Sequence, residues 1–513
     1  MKGRVTQGRE VTADVTETCD VCIIGSGAGG GTLAAGLVER GLDVVMLEAG
    51  GYHTRRDFDL HEQTAFPALY QGRGGRATSD LAISILQGRS VGGSTTINWT
   101  TCFRTPDRIL RHWQDHHRIE GLDAQTLAPH FEAVEARLNI GVWPESLANA
   151  NNRKLLDGAR SLGWEASPLH RNVRGCANSG FCGMGCPVDG KQGQHVTTIP
   201  DALAGGMRLY ADVEVRHLLH DDKQVQEVRG VVMERGRDRD TAHTVTVRPR
   251  VVALCGGAIN NPVLLLRSEL NPNGRVGLRT FLHPVVAMAG VYEEEVNPFY
   301  GAPQSIGSHQ FIDRGPDKVG YFLEAAPMHP MLTASAAGVF ASELDELMRN
   351  LPHISGLLAL QVDGLLPGDD GGTTVLRSDG RPGLHYPVKP ALVESMRASH
   401  QTLARLHLAA GAREVGSLHA TPLSVRSEAD LKRLAAAPYG ALEHAIFSAH
   451  QMGGCSMGPD PATSVVGVNH RHHTVHNLYI VDGSVLPTAL GVNPSQTIYG
   501  LAHRARDIVA SAV

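Results

Sequence analysis

Residues Asp20 to Gly50 read D-V-C-I-I-G-S-G-A-G-G-G-T-L-A-A-G-L-V-E-R-G-L-D-V-V-M-L-E-A-G, an order that predicts strand, tight turn, helix and second strand. Val21 to Ile24 is an apolar, β-branched run of the kind that forms a short buried strand. Gly25, Gly27 and Gly30 follow in the spacing G-x-G-x-x-G. The first permits the turn, the second lets backbone N–H groups approach a pyrophosphate, and the third lets helix and strand pack closely. An Ala/Leu-rich helix then runs to about Arg40, its N-terminus carrying partial positive charge toward a diphosphate. The second strand, Val44 to Leu47, ends in Glu48, placed where a carboxylate accepts hydrogen bonds from a ribose. The unit binds a dinucleotide, but by itself it does not separate NAD from FAD.

The surrounding composition narrows the class. A chain of 513 residues is too long for one ordinary core, so two large units are expected. With 42% hydrophobic and 19% charged residues and a net charge of −5, the balance gives no reason to expect binding to nucleic acid or to a strongly anionic membrane. No apolar run is long enough to span a bilayer, and the polar start M-K-G-R-V-T-Q-G-R-E does not read as a secretory signal. The sequence therefore predicts a cytoplasmic protein, with room for peripheral membrane contact through a local patch. Eight cysteines in this length do not suggest a disulfide framework.

Two further glycine-rich segments bear on the cofactor: G-R-S-V-G-G-S-T-T-I-N-W, Gly88 to Trp99, and V-V-A-L-C-G-G-A-I-N-N-P-V-L-L-L-R-S, Val251 to Ser268. Near the C-terminus stand S-A-H-Q-M-G-G-C, Ser448 to Cys455, and V-D-G-S-V-L-P-T-A-L-G-V-N-P, Val481 to Pro494. His450 and Asn493 there offer a proton acceptor and a hydrogen-bond anchor on glycine-flanked turns, a pair suited to alcohol oxidation. With these segments in order, the sequence resembles the glucose–methanol–choline (GMC) flavin oxidoreductases over most of its length. Within that family it looks most like the long-chain alcohol oxidases and related alcohol dehydrogenases.

The resemblance implies FAD in an extended form. Gly25, Gly27, Gly30 and Glu48 would hold the ADP half, and Gly92, Gly93 and Ser94 would run beside the diphosphate with Asn98 close to the flavin ring. Val215, in the strand Val213 to Arg216, would meet the adenine through its backbone. Asp482 and Gly483 would contact the ribityl-phosphate region, and Pro494 and Thr497 would lie along the isoalloxazine. Some family members tether the flavin through a His just before the Asn of the second motif; Ile97 stands there, so the FAD is expected to be non-covalent. The flavin N5 would take the hydride, His450 the hydroxyl proton, and Asn493 would anchor the oxygen.

The implied fold is α/β and α+β: a discontinuous Rossmann-like FAD domain (17–103, 201–285 and 466–513), and a substrate domain with an antiparallel sheet under helices (104–200 and 286–465). The implied reaction is oxidation of an alcohol, hydrophobic by preference, to the aldehyde or ketone, with oxygen or an external acceptor taking the electrons. A sugar- or sterol-type dehydrogenase and a lyase with a non-redox flavin remain as alternatives. Cys176, Cys182 and Cys186 sit among glycines with a proline after the last, a pattern an iron–sulfur cluster uses. Some dehydrogenases of this family carry a three-iron cluster on a similar set, whereas a glycine-rich lid with reduced thiols is the other reading. The cluster N-H-R-H-H-T-V-H-N, Asn469 to Asn477, has poor metal spacing and reads as solvated loop histidines.

Overall fold

The computed structural model describes residues 3–236 and 239–513. The Val15–Ile24 strand lies at the centre of an eight-stranded sheet, parallel to Val44–Glu48 on one side and to Asp240–Leu254 on the other. Arg208–Ala211 and then Arg4–Thr6 extend the parallel half beyond Val44–Glu48. Asp240–Leu254 is long enough to serve two neighbourhoods. Its last residues pair in parallel with Leu478–Ile480, while its first half enters an antiparallel meander with Val225–Met233 and Val213–His220. The first strand is longer than its apolar core predicts, because the alternating segment Val15–Thr18 continues the ladder opposite Val245–Arg248.

The helix after the first glycine turn, Ala28–Val38, is buried on nearly all sides and packs against the C-terminal helix Ser495–Ala510. That explains its uniformly small, apolar sequence, since a helix buried all round shows no polar stripe. Gly25 turns at φ 99°, and a Cβ on Gly30 would come within 2.0 Å of the Gly25 carbonyl oxygen. Only glycine at both places lets the helix begin this close to the strand.

A second, nine-stranded sheet is antiparallel along its main path: Ser424–Val425, Glu414–Ser417, Val285–Val291, Ile354–Gln361, Tyr321–Ala326, Ile306–Ser308 and Ser167–Pro168. Ile446–Ser448 joins it beside Val285 and pairs in parallel with Ile83–Ile85. Helices Pro390–Ala409 and Ala150–Ser161 pack against this sheet. Ile354–Gln361 is buried at every position, so it reads I-S-G-L-L-A-L-Q without the alternation of a half-exposed strand. The expected pairing of a doubly wound sheet with an antiparallel, helix-covered sheet is what the chain forms. No helix among the described residues is long and apolar enough to cross a membrane.

The histidine-rich turn before the last strand differs at two of its histidines from the solvated loop expected, while His473 is half-buried and His476 exposed. His470 and His472 are buried; His470 Nδ1 is 2.9 Å from the Ile480 carbonyl, and His472 Nδ1 accepts from the Val475 amide at 3.2 Å. These rings satisfy backbone groups of a buried turn, which a tally of histidines does not reveal.

Burial of ionisable groups makes stability depend on pH. His407, His450 and His470 are pushed down to about 4, and His283 well below its ordinary value, chiefly by desolvation. Glu324 and Asp363 are pushed up by burial to about 8 and about 7. From pH 6.5 down to about 4 the unfolded chain binds histidine protons that the folded chain refuses, so stability falls with pH and outweighs the two carboxyls. Above pH 6.5 the histidine contribution fades as the unfolded imidazoles lose their protons, while the two carboxyls, whose protons stay bound in the folded chain until pH passes about 7 and 8, oppose it. The urea midpoint should therefore fall steeply as pH drops from 6.5 towards 4; a midpoint at pH 5 equal to or above that at pH 6.5 contradicts this.

Candidate active site and cofactor cradle

The glycine loops meet at the C-terminal ends of the parallel strands, where an open α/β sheet binds its ligand. Gly27 caps the Ala28–Val38 helix with no side-chain bond to its first amides. Gly92 donates its amide to Ser26 Oγ at 3.0 Å, and a Cβ on Gly93 would come within 2.7 Å of Gly27 Cα. Two glycine backbones thus pack closely with no side chain between them, and Ser94 is exposed beside them, accepting from the Gly88 amide at 2.9 Å. Free helix-start amides next to a side-chain-free backbone contact suit a diphosphate. Glu48 accepts from the Ser26 amide and hydroxyl at 2.9 and 2.7 Å and from the Gly50 amide at 2.8 Å. Burial raises its pKa while those bonds oppose the shift.

Asp482, one position after the residues that follow Leu478–Ile480, joins this cradle to the Val251–Ser268 segment. It accepts from the Gly257 amide (2.6 Å), the Asn261 side-chain amide (2.8 Å) and the Ser484 amide and hydroxyl (2.8 and 2.6 Å). Gly483 starts a short turn, Pro494 caps the Ser495–Ala510 helix, and Thr497 Oγ1 lies 2.9 Å from Thr105 Oγ1 in its first turn. Val215 lies farther out on the meander, in the strand whose Glu214 is 3.6 Å from Arg89. Asn98 carries a buried Oδ1 with no partner.

His450 and Asn493 come together as their spacing on separate turns could only suggest. Asn493 Nδ2 is 3.3 Å from His450 Nε2, while Asn493 Oδ1 is buried and unpartnered. Desolvation alone holds the His450 pKa to about 4, so the ring is neutral near pH 7.

Several neighbours escaped the sequence reading. His283 Nδ1 is 3.0 Å from His450 Nδ1, and the Gly491 amide donates to His283 Nε2 at 3.2 Å. Glu324, within reach of Asn493 and hydrogen-bonded by Gln304, is buried and raised to about 8 by desolvation, so it is largely protonated at pH 7. Its Oε1 has no partner. Buried Lys191 donates to the carbonyls of Thr96, Asn98 and Cys182, bracing the Gly92–Asn98 loop from behind; burial lowers its pKa to about 8. The only sequence hint for His283 and Glu324 is a polar type amid apolar neighbours, and Lys191, in D-G-K-Q-G, reads as an ordinary surface lysine.

Cys176, Cys182 and Cys186 line one cavity of about 20 Å³, room for about one water. Cys182 is raised by burial, and Cys186 Sγ accepts from the Lys191 amide at 3.5 Å.

Sequence models of GMC oxidoreductase match residues 66–285 and 372–502. An uncharacterized GMC-type oxidoreductase of Mycobacterium tuberculosis is 32% identical over 96% of this chain and 76% of its own length. A long-chain-alcohol oxidase of Arabidopsis thaliana is 29% identical over 98% of this chain and 70% of its own. Among solved structures, pyridoxine 4-oxidase from Mesorbium loti superposes with a TM-score of 0.69 at 19% identity, over 95% of this chain and 98% of that one. These likenesses support FAD as the cofactor and lend no support to an iron–sulfur cluster.

Gly93→Val tests the cradle. The new side chain would collide with the Gly27 backbone and push the two glycine loops apart, and the φ of 54° strains it further. The folded variant should lose most of its flavin absorbance at 450 nm (roughly tenfold or more); undiminished flavin would show that these loops are not the binding cradle.

Proposed function

The chain belongs to the GMC oxidoreductase family and is an FAD-dependent oxidoreductase acting on CH–OH groups, and on that premise we propose that it oxidises a hydrophobic alcohol to the aldehyde or ketone with His450 as proton acceptor. The observation that carries the reading is the His450–Asn493 contact at 3.3 Å, buried and with an amide oxygen left without a partner. FAD, when bound, supplies the acceptor for the hydride that leaves the carbinol carbon. The residues proposed to hold it are Gly25, Gly27, Gly30, Glu48, Gly92, Gly93, Ser94, Asn98, Val215, Asp482, Gly483, Pro494 and Thr497. The division into an FAD domain of 17–103, 201–285 and 466–513 and a substrate domain of 104–200 and 286–465 is part of the same proposal.

In this reading the hydroxyl proton passes to His450 Nε2 while an N–H of Asn493 donates to the substrate oxygen and stabilises its developing charge. His283 Nδ1 lies 3.0 Å from His450 Nδ1, a contact that fixes the orientation of the His450 ring. His283 is thus a positioning residue for the base. Preference for an apolar substrate is supported by the apolar character of the surroundings of His283, whose ring packs edge-on to Phe322 of the cluster Val285, Phe322, Leu360 and Val362. We assign the redox chemistry to FAD alone, held non-covalently because Ile97, packed against Phe58 and Tyr70, occupies the tethering position.

Denaturation in acid should release the flavin intact; flavin remaining with the precipitate would end the non-covalent assignment. His450→Ala and Asn493→Ala should keep their flavin yet lose turnover by about 10²–10⁴-fold and about 10²–10³-fold. A His450→Ala variant with near-normal turnover would overturn the base. Mixed anaerobically with a medium- or long-chain primary alcohol, the wild type should bleach its flavin absorbance. Carbonyl formation from a cyanohydrin with the flavin unbleached would instead establish the lyase. Repeating the alcohol panel with oxygen and with a dye or quinone separates an oxidase from a dehydrogenase.

A further inference from the structure

Away from the site just described, three histidines from distant parts of the chain converge under one helix. His400 is in Pro390–Ala409, His419 follows the Glu414–Ser417 strand, and His444 precedes Ile446–Ser448. His419 and His444 face each other across an isolated antiparallel bridge, flanked by Ala420 N to Glu443 O and Ala445 N to Leu418 O, both 2.9 Å. Residues opposed on such a bridge project to the same side. All three side chains are buried.

One ring nitrogen from each lies within 4.8 Å of the others. His400 Nε2 and His444 Nε2 are 3.2 Å apart. Two nitrogens bound at ~2.0–2.1 Å to a tetrahedral ion stand about 3.3 Å apart, which matches. Two of the three outer nitrogens are held as ligand histidines are held: His400 Nδ1 is 3.0 Å from the Met396 carbonyl, and His419 Nδ1 is 2.9 Å from Ser417 Oγ, while His444 Nδ1 has no partner. His419 Nε2 is left buried with no partner. Tyr439 closes the group, its hydroxyl 2.6 Å from His400 Nδ1 and its ring 5.0–5.5 Å from the three imidazoles. Desolvation and neighbouring imidazoles keep all three rings in the neutral form that a metal requires.

We propose that His400, His419 and His444 bind one divalent cation of the zinc class, with water in the fourth position. Three neutral imidazoles in a tetrahedral set suit Zn²⁺ better than the hard cations Mg²⁺ or Ca²⁺, which take oxygen ligands. A packed trio without an ion leaves the inward nitrogen of His419 desolvated and unpaired, a cost the ion removes. The ion would pin the Pro390–Ala409 helix to the segment entering Ile446–Ser448, the strand that leads into His450. Its role is structural, since His450 pairs with His283 and not with this trio.

The test uses untagged, flavin-loaded enzyme, with zinc measured by inductively coupled plasma mass spectrometry and thermal unfolding followed in parallel. We expect close to one zinc per chain after dialysis, a lower Tm once a strong chelator has stripped it, and recovery of Tm on adding Zn²⁺ alone. His419→Phe keeps ring volume and should retain flavin while binding Zn²⁺ at least about 100-fold more weakly. Two results overturn the site: stripped wild type whose Tm does not respond to Zn²⁺, or a folded His419→Phe that binds zinc as tightly as wild type. Should His419→Phe fail to fold, the wild-type Zn²⁺ titration decides by itself.

Discussion

The buried carboxylate of Asp482 holds the proposed cofactor face of this protein together. It receives four hydrogen bonds, from the amides of Gly257 and Ser484, the side chain of Asn261 and the hydroxyl of Ser484. Those donors belong to the turn after Asp240–Leu254, the helix Asn260–Arg267 and the turn after Leu478–Ile480. Desolvation works against the charged form, raising its pKa, and the four donors work to keep it. Stripping one donor leaves a buried carboxylate undersupplied, which costs more than the bond itself was worth. The adjacent edges of two parallel strands, and the C-terminal segment that carries Asn493, therefore share one electrostatic anchor.

A second anchor works from the other side. Lys191 sits at the end of the cysteine-containing loop and reaches through the core to the carbonyls of Thr96, Asn98 and Cys182. A buried ammonium with three carbonyl partners is costly to desolvate but rigid once formed. It fixes the irregular loop Gly92–Asn98, whose backbone otherwise has few regular partners. The same loop faces Gly27, so the position of one glycine backbone against another rests on a lysine about a hundred residues away in sequence. His450 is constrained in a comparable way, its ring held by His283 from the neighbouring sheet connection and by Asn493 from the C-terminal turn.

Chain-local physics explains what could be read from sequence and what could not. The glycine turn, the Ala28–Val38 helix and the strand ending in Glu48 are contiguous; their spacing obeys backbone geometry that operates over a few residues, so they are legible. His450 and Asn493 were legible as well, because each lies in a glycine-flanked motif whose residue types already imply chemistry. His283 and Glu324 carry no such signature, and 167 residues separate His283 from its partner. The turn around His470 misled for the same reason: composition suggested solvent, whereas the ring is buried against the Ile480 carbonyl.

By itself, then, the sequence determined the glycine turn with its flanking strands and helix, two sheets of different character, and the motifs on which the proposed base and anchor stand. Only the tertiary structure decided which buried groups surround that pair, because burial and pairing are properties of the packed chain. Desolvation depends on everything within several ångströms, whatever its sequence distance, and it sets the neutral His450, the protonated Glu324 and the inward-facing nitrogens of His400, His419 and His444. Motifs carry chemistry that is local; the electrostatic setting that makes the chemistry usable is assembled from residues that meet only when the two sheets close on each other.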